Sequence, residues 1–205
     1  MHIAIVGGKR VRIRLADDLR EERSHSVSLS ADLYHTFGKV QTNLLVEGFY
    51  TILDDVFALR DMDDAADGGK VKERYNGSGA TVRGFNVEGR AAFTRWFELQ
   101  AGVTLQQSRY KEPEFWSEDA EVPPVRRMFR TPDAYGYFTA SFKPVRNFTA
   151  DLSGTCTGSM LVQHMAGSGV AQDVAVSTPS FFDMNIRLSY DVRIYKEITM
   201  QLYGE

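Results

Sequence analysis

The residues best suited to holding a ligand lie in one segment, residues 112–130, where aromatic and basic side chains are mixed. These aromatic and basic residues are Phe115, Trp116, Arg126, Arg127, Phe129 and Arg130. Aromatic faces and guanidinium groups together can bind a planar or anionic molecule. The same composition also suits a loop that packs its own aromatic side chains beside an anionic lipid surface, and we favour this second interpretation. Trp116, Arg126, Arg127 and Arg130 are nevertheless the candidate ligand contacts.

Histidine provides one further candidate. The four histidines, His2, His25, His35 and His164, lack the spacing of a metal site. His164 lies in a polar segment between Gln163 and Met165, and it is the only histidine that we single out for contact with a ligand. The sequence therefore predicts no bound metal and no cofactor.

Calcium-binding, phosphate-binding and nucleophile-elbow motifs are each incomplete or absent in this sequence. Residues 61–69 suggest a calcium loop, but with Asp63 as the first ligand the third position is Ala65 and the twelfth is Arg74. A solvated acidic loop is the better interpretation. Residues 7–9 lack the first glycine and the hydroxyl residue of a phosphate-binding loop, and no serine lies in a nucleophile elbow. We expect that the protein is not an enzyme.

The elements that must position these residues are β-strands, because apolar and polar residues alternate with a period of two. Successive strand side chains point to opposite faces, so each segment has one apolar and one polar face. The clearest segments are residues 25–33, 97–106, 148–160 and 182–191. Weaker alternation occurs in residues 40–57, 82–94, 135–143 and 198–203. The sequence predicts an all-β chain of about eight strands.

The connections between these strands alternate between short and long. Short connections lie near Gly38, near Arg95, and at residues 143–147 and 192–197. Long polar connections lie at residues 58–79, 108–133 and 161–180. This asymmetry is typical of a membrane β-barrel, which has short turns at one end and long loops at the other. Several segments also keep their alternation for the nine to eleven residues, roughly, that a bilayer-spanning strand needs.

Two further features favour a membrane barrel over a soluble sheet. Aromatic residues flank the short connections, as the girdles of a barrel do; they are Tyr34, Phe37, Trp96, Phe97, Phe142, Phe148, Tyr190 and Tyr195. Charged residues also lie in the middle of the polar faces, which suits a wet lumen. The residues expected to line it are Asp32, Glu47, Glu88, Arg90, Glu98, Asp151, Asp183 and Arg187. We expect a Glu–Arg pair between neighbouring lumen strands.

Composition and cysteine content limit the number of domains, the class of partner and the disulfides that the chain can have. The 205 residues carry a net charge of -3 and include 43% hydrophobic residues, which allows one domain over residues 1–205. The basic clusters are balanced by acidic residues, so no nucleic-acid partner is expected. Cys156 is the only cysteine, which excludes a disulfide within the chain. The alternation places it on an apolar face, where a small lipid-facing or buried side chain is more plausible than a reactive thiol.

Four stretches carry a resemblance to a known family: SHSVSL at 24–29, NVEG at 86–89, GTCTGSM at 154–160 and TPSFFDMN at 178–185. They resemble the C-terminal part of the β-barrel of TonB-dependent outer-membrane receptors, above all those of Bacteroides and its relatives. The resemblance implies a 22-stranded barrel, plugged by an N-terminal domain, that takes up a scarce nutrient such as an iron–siderophore complex, haem or cobalamin. Residues 1–15 lack the pattern of a signal peptide. We therefore expect an internal piece of such a receptor, without its plug domain and last strands.

The resemblance also implies a location and partners. The chain would be an antiparallel, up-and-down transmembrane β-barrel segment in the bacterial outer membrane, with short periplasmic turns and long extracellular loops. Residues 61–69, 112–130 and 162–177 would then be exposed at the cell surface. The implied partners are outer-membrane lipid, the plug domain of the same receptor, TonB acting through that plug, and a small-molecule nutrient.

Two alternatives of a different class stay open at this point. A complete eight-stranded barrel could serve a structural or adhesion role, because eight strands can close around a filled interior. A soluble β-sandwich or carbohydrate-binding module would bury the apolar faces between two sheets. The sandwich would stay in solution without detergent, whereas a barrel segment would aggregate through its unpaired edges and lipid-seeking face.

Overall fold

The structure of the protein is a computed structural model. It describes residues 2–6, 9–62, 70–117, 119, 121–167, 169–196 and 198–205. The regular elements within these residues are all β-strands. No helix in this described part is long and apolar enough to cross a bilayer.

The strands are numbered in chain order. They are β1 (His2–Val6), β2 (Lys9–Leu15), β3 (Arg23–Phe37), β4 (Val40–Asp54), β5 (Phe57–Met62), β6 (Lys70–Asn76), β7 (Ala80–Thr94), β8 (Phe97–Glu114), β9 (Val125–Arg127), β10 (Ala134–Phe142), β11 (Phe148–Thr157), β12 (Leu161–His164), β13 (Val174–Ser177), β14 (Phe181–Tyr195) and β15 (Ile198–Gly204).

The main sheet contains an antiparallel meander of eight strands in the order β3-β4-β7-β8-β10-β11-β14-β15, and a ninth strand, β9, pairs with β8 off this path. The prediction of about eight up-and-down strands is therefore confirmed. Four of these strands have 15 residues and β8 has 18. At about 3.4 Å per residue and a tilt of roughly 40°, a 15-residue strand rises about 39 Å, more than the hydrocarbon core of about 30 Å. The longer strands therefore extend beyond the membrane.

One end of the main sheet carries only short turns, as predicted. Gly38, with φ +62°, lies between β3 and β4, and Asn147, with φ 72°, lies between β10 and β11. Glycine and asparagine tolerate this left-handed conformation, which a tight reversal requires. The last turn begins later than predicted, because Val192 is still paired with Met200 and β14 continues to Tyr195.

The other end carries the long connections, and these contain strands that the sequence pattern did not predict. The connection from β4 to β7 forms the β5–β6 hairpin, and the one from β11 to β14 forms the β12–β13 hairpin. The β1–β2 hairpin joins the former by parallel pairing of β2 with β6, which makes a second sheet in the order β1-β2-β6-β5. Of the acidic segment at residues 61–69, residues 63–69 lie outside the described part of the chain.

The main sheet is a single layer without a core. Among the described residues only Ala16, Ala80 and Ala140 are buried apolar residues, whereas Leu29 is 81% exposed. The β-sandwich alternative is therefore wrong, because a sandwich would bury this apolar face. The edge strands β3 and β15 each pair on one side only, so a closed eight-stranded barrel is not formed.

The register places the two faces as the alternation predicts. Leu29, Gly48, Phe85 and Leu105 lie side by side on β3, β4, β7 and β8 in one row of the apolar face. Near the short turns, Phe97 stacks against Phe93 and Phe142 with ring centroids 5.4 and 4.6 Å apart. Tyr34 is an exception to the predicted aromatic girdle, since its hydroxyl donates to Asp32 on the polar face.

Candidate functional site

Hydrogen-bonding side chains predominate on the polar face of the main sheet, here called the wall. All eight residues predicted to line the lumen lie on it, because each occupies a register position that shares this face. The row that crosses most of the sheet is Asp32, Leu45, Glu88, Gly102, Tyr137, Thr155 and Asp183. The wall therefore spans β3 to β14 without interruption by an apolar strand.

Two hydrogen-bonded chains link neighbouring strands across the middle of this wall. Asn86 donates to Glu47 at 2.8 Å and accepts from the Thr104 hydroxyl at 2.8 Å, which joins β4, β7 and β8. Gln100 donates to Glu88 at 2.7 Å and to the Tyr137 hydroxyl at 3.1 Å, which continues the contacts to β10. Cross-strand pairs of this kind fix the register of a sheet.

Space for the Tyr137 ring comes from a glycine on the neighbouring strand. A Cβ atom on Gly102 would lie 2.6 Å from the Tyr137 ring, closer than side chains approach. The ring can therefore lie along the wall because Gly102 has no side chain. Tyr137 was not among the predicted lumen residues, although its position in the alternation of residues 135–143 was sufficient to find it.

The expected Glu–Arg pair is present between β7 and β8. Arg90 Nε donates to Glu98 Oε1 at 2.5 Å. A second opposite-charge pair shares a register position, Asp151 with Arg187, and the Arg187 guanidinium lies 4.5 Å from the centre of the Tyr203 ring. Asp151 itself accepts a hydrogen bond from Ser141 at 2.6 Å. The wall thus presents both signs of charge, as a surface that meets water or a polar protein segment does.

The predicted ligand contacts cluster in the long connection between β8 and β10. Trp116 packs edge-on against Phe129, with ring centroids 5.5 Å apart, and its Nε1 donates to the Pro123 carbonyl at 3.3 Å. Arg126 donates to the Lys111 carbonyl at 2.8 Å. Trp116 and Phe129 therefore pack against each other, as in the self-packing loop that the sequence favoured, whereas Phe115 is 75% exposed.

Arg127 and Arg130 connect this loop to its neighbours. Arg127 donates to the Ser159 carbonyl at 2.8 Å and pairs with Asp133 at 3.1 Å. Its Nε and Asp133 Oδ1 are buried without a hydrogen-bond partner among the described residues, and such atoms are available to a ligand or a water molecule. The backbone N–H of Arg130 donates to the Leu161 carbonyl at 2.8 Å, while its side chain is exposed.

The loop is also tied to the β12–β13 hairpin through Asp173. This carboxylate accepts a hydrogen bond from the Ala166 N–H at 2.7 Å and another from the Ser117 hydroxyl at 2.7 Å. The two bonds, that from Ala166 first, hold the pKa of Asp173 below its usual value. His164 lies exposed on the same hairpin, opposite Val174. Trp116 and His164 are therefore on connected loops, with no described contact between them.

A second cationic surface was missed by the sequence reasoning. It lies on the four-stranded sheet, where Arg12, Arg14, Arg60, Glu73 and Tyr75 share one face, here called the arginine face. Arg60 donates to the buried Glu73 carboxylate at 2.8 and 2.5 Å, and Arg14 approaches it at 3.9 Å. The Arg60 guanidinium also lies 4.9 Å from the centre of the Tyr75 ring.

The β5–β6 hairpin, which carries part of the arginine face, lies beside the outer end of β8, because a Cβ atom on Gly77 would lie 4.0 Å from Glu114 Oε2. Burial raises the pKa of Tyr75, and the charge of Glu114 adds to the increase. The signal in the sequence was the basic alternation in β2 and β6, but only the parallel pairing of these strands brings the basic residues together.

No group of three or more potential metal ligands occurs in the described residues. Cys156 lies on the apolar face opposite Phe182 and is exposed there.

The comparisons with known proteins agree with this architecture. The family model described as TonB dependent receptor-like, beta-barrel, matches residues 5–205. The chain belongs to this family. No curated protein sequence matches it.

Solved structures of TonB-dependent and related transporters have a similar fold. The ferric-catecholate import receptor Fiu of E. coli K12 matches with a TM-score of 0.60 and 14% identity over 92% of this chain and 24% of Fiu. The copper transporter OprC matches with a TM-score of 0.58 and 12% identity, over 90% and 25% of the two chains. The FrpB iron transporter of Neisseria meningitidis matches with a TM-score of 0.54 and 12% identity, over 89% and 26%. The chain spans about a quarter of the length of these relatives.

Membership of the TonB-dependent receptor family fixes the orientation of the sheet. The chain is an outer-membrane protein, so the apolar face contacts lipid and the polar wall faces the lumen. The short turns are periplasmic and the long connections are extracellular. The loop cluster and the arginine face are thus on the extracellular side.

Proposed function

We propose that this chain forms part of the wall of a receptor that imports a scarce nutrient, such as an iron–siderophore complex, haem or cobalamin, with energy passed on by TonB. The observation that carries the proposal is the polar wall from β3 to β14 in a chain whose residues 5–205 match the receptor family. This wall leads from the extracellular loops to the periplasmic turns. The solved relatives include an import receptor for ferric catecholates and iron and copper transporters, which supports the same class of cargo.

The partners follow from the same wall. We propose that residues 1–205 belong to a single barrel domain, because β2 of the N-terminal hairpin pairs with β6 and the Ala16 N–H donates to the Arg74 carbonyl at 2.9 Å. Half-exposed charged groups such as Arg90 and Glu98 would then contact the plug domain of the complete receptor or the water beside it. TonB would act through that plug.

The cargo is anionic in this proposal. On the arginine face, the guanidinium groups of Arg14 and Arg60 lie beside Glu73, and that of Arg14 also lies 3.7 Å from Asp17. Across the loops, the Arg126 and Arg130 side chains are exposed. Guanidinium groups bind carboxylates and other oxyanions through paired hydrogen bonds, and an aromatic ring adds a surface for a planar group.

The test uses the complete receptor in its own outer membrane. Uptake of radiolabelled iron chelates, haem and cobalamin is compared between a strain with the receptor and a deletion strain. The Arg14→Gln/Arg60→Gln variant should then weaken binding of the transported ligand by up to about 25-fold, because each of the two exposed cations contributes up to about 1 kcal/mol near an anion. Arg95→Gln, which removes a charge from a periplasmic turn, is the matched control.

Two results would overturn different parts of the proposal. If deletion of the receptor changes the uptake of none of these nutrients, the transport function is wrong. If the receptor imports one of them and the arginine variants bind it as tightly as the control does, the transport function holds and the arginine face is not its binding surface.

A further inference from the structure

The short turns at the periplasmic end of the main sheet are basic. Each turn carries at least one cation, and the first three turns, at residues 38–39, 95–96 and 143–147, contain no carboxylate. The cations are Lys39, Arg95, Lys143, Arg146 and Lys196, and all of them are exposed. The periplasmic rim of the sheet, formed by these turns, therefore has an excess of positive charge.

A depression lies at this rim, beside the turn from β10 to β11. Its volume is about 660 Å³, and its lining includes Lys143 and Arg146 of this turn and Trp96 of the neighbouring turn. Phe148 and Asp191 also line it. The alternation along their strands places Phe148 on the lipid-facing side of the sheet and Asp191 on the lumen side. The depression therefore crosses the rim from the lipid side to the lumen side.

Backbone hydrogen bonds fix the shape of the turn that carries the cations. The Lys143 N–H donates to the Trp96 carbonyl at 2.7 Å, and the Asp191 N–H donates to the Asn147 carbonyl at 2.7 Å. Asn147 has φ 72°, a left-handed conformation that asparagine tolerates. Both ends of the turn are thus attached to neighbouring parts of the sheet, so the backbone that carries Lys143 and Arg146 is held in place.

The cations of this turn are not neutralised within the part of the chain that the structure describes. Neither Lys143 nor Arg146 forms an ion pair there. The carboxylate of the lining, Asp191, accepts a hydrogen bond from the neutral Gln201 amide at 3.0 Å and is outnumbered by the cations. Ammonium and guanidinium groups both bind phosphate oxygens, the guanidinium through paired hydrogen bonds. The depression therefore favours an anionic ligand such as a phosphate group.

Aromatic rings place the depression at the depth of the lipid headgroups. Trp96 is 46% exposed, and Phe142, which directly precedes the turn, stacks on Phe97 with ring centroids 4.6 Å apart. Aromatic rings are enriched at the boundary between hydrocarbon and headgroups. The next row of this face towards the membrane centre is wholly apolar and consists of Leu99, Ala140, Leu152 and Ile186. The cations thus lie where the headgroups of the inner leaflet begin.

We propose that this depression binds an anionic glycerophospholipid of the inner leaflet, with Lys143 and Arg146 on its phosphate and its acyl chains beside Phe148. Basic pockets at the ends of membrane-spanning segments bind anionic lipid headgroups. A zwitterionic lipid is disfavoured, because its ammonium group would add positive charge where cations already outnumber the carboxylate. A free phosphate lacks the acyl chains that the lipid-facing end of the depression accommodates. The site does not depend on which nutrient the receptor imports.

The experiment uses the complete receptor, purified and exchanged into phosphatidylcholine nanodiscs that contain phosphatidylglycerol as the probe. Native mass spectrometry measures how much phosphatidylglycerol remains bound to the receptor. Lys143→Gln/Arg146→Gln should weaken this binding about 25-fold, since each cation at the membrane surface contributes about fivefold. Lys143→Arg/Arg146→Lys keeps both charges and should retain most of the affinity. Lys39→Gln/Lys196→Gln, which removes two cations from other turns of the same rim, should bind as the wild type does.

The class of ligand is tested with the same receptor. Phosphatidylethanolamine in place of phosphatidylglycerol should bind more weakly, and millimolar inorganic phosphate should not displace phosphatidylglycerol. Equal binding of phosphatidylglycerol by the two double glutamine variants overturns the proposal, because this depression would then contribute no more than the rest of the rim. The proposal is also overturned if phosphatidylethanolamine binds as tightly as phosphatidylglycerol or if inorganic phosphate displaces the lipid.

Discussion

Gly84 provides the sharpest test of the sheet geometry. It lies on β7 with its Cα facing the polar wall, between Phe49 on β4 and Gln106 on β8. A Cβ atom there would lie 2.8 Å from Phe49 Cζ and 2.9 Å from Gln106 Cα, and it would also clash with the Leu105 carbonyl oxygen. Ordinary contacts begin at 3.4 Å. Gly84→Ala therefore requires β7 and β8 to separate, because the backbone atoms of Gln106 and Leu105 cannot rotate away.

The expected cost can be estimated from the same contacts. Overpacking costs about 1–3 kcal/mol, and a clash with backbone belongs at the upper end of that range. Replacing glycine within a strand raises the free energy of unfolding by about 0.5–1 kcal/mol, because the new residue lowers the conformational entropy of the unfolded chain. Gly84→Ala should therefore lower the free energy of unfolding by about 2 kcal/mol.

Gly89 is the matched control on the same strand. A Cβ atom on Gly89 would meet nothing within 4 Å, so Gly89→Ala should keep only the entropic gain of about 0.5–1 kcal/mol. Urea unfolding of the complete receptor in detergent micelles, followed by fluorescence, measures both variants. The midpoint should fall for Gly84→Ala and stay or rise for Gly89→Ala. Equal midpoints would refute the spacing of β7 and β8 described above.

Three further outcomes are expected. The pKa of Asp173 is held below the usual 3.8, so its bonds to Ala166 and Ser117 stabilise the loop fully above about pH 3.8 and are lost as the pH falls through the lower folded pKa. In a Trp96→Phe background, the fluorescence of Trp116 should therefore change only at such acidic pH. An Asp173→Asn variant that keeps the same transition would contradict the assignment of this transition to Asp173. The Arg90–Glu98 pair is partly exposed, so a double-mutant cycle with Arg90→Gln and Glu98→Gln should give a coupling free energy of about 0.2–1 kcal/mol. A coupling free energy of about 3 kcal/mol would show that this part of the lumen excludes water. Cys156 faces lipid, so in intact outer membranes it should react with an apolar maleimide and resist a charged one. The Thr155→Cys/Cys156→Ser variant, whose thiol would face the lumen, should show the reverse. Equal labelling of the two proteins by both reagents would mean that the two faces are misassigned.

The sequence predicted the main sheet because its signal is local. Residues such as Val27 and Ser28 alternate with a period of two, and this period alone assigns every main strand to its faces. The hairpins in the loops were missed because strands such as β6 (Lys70–Asn76) are mostly polar and resemble solvated loops. Their structure depends on pairing with a distant partner, β2, which no local rule predicts.

The candidate site was predicted less completely for the same reason. Trp116 and Phe129 were found as a loop cluster because they lie close in sequence. The arginine face combines Arg14, Arg60 and Tyr75 from three strands. These residues are far apart in sequence, and only the pairing of their strands brings them together. The length of β8 was likewise underestimated, because its outer part, with Tyr110 and Glu114, no longer alternates clearly.

The two free edges of the main sheet restrict how the rest of the barrel can be built. β3 runs from the extracellular end towards the periplasm, whereas β15 runs in the opposite direction, since six strands lie between them in strict antiparallel order. A barrel that stays antiparallel all the way round must therefore add an even number of strands between these two edges. An odd number would force one parallel pair at the seam, and a short turn cannot join two parallel neighbours.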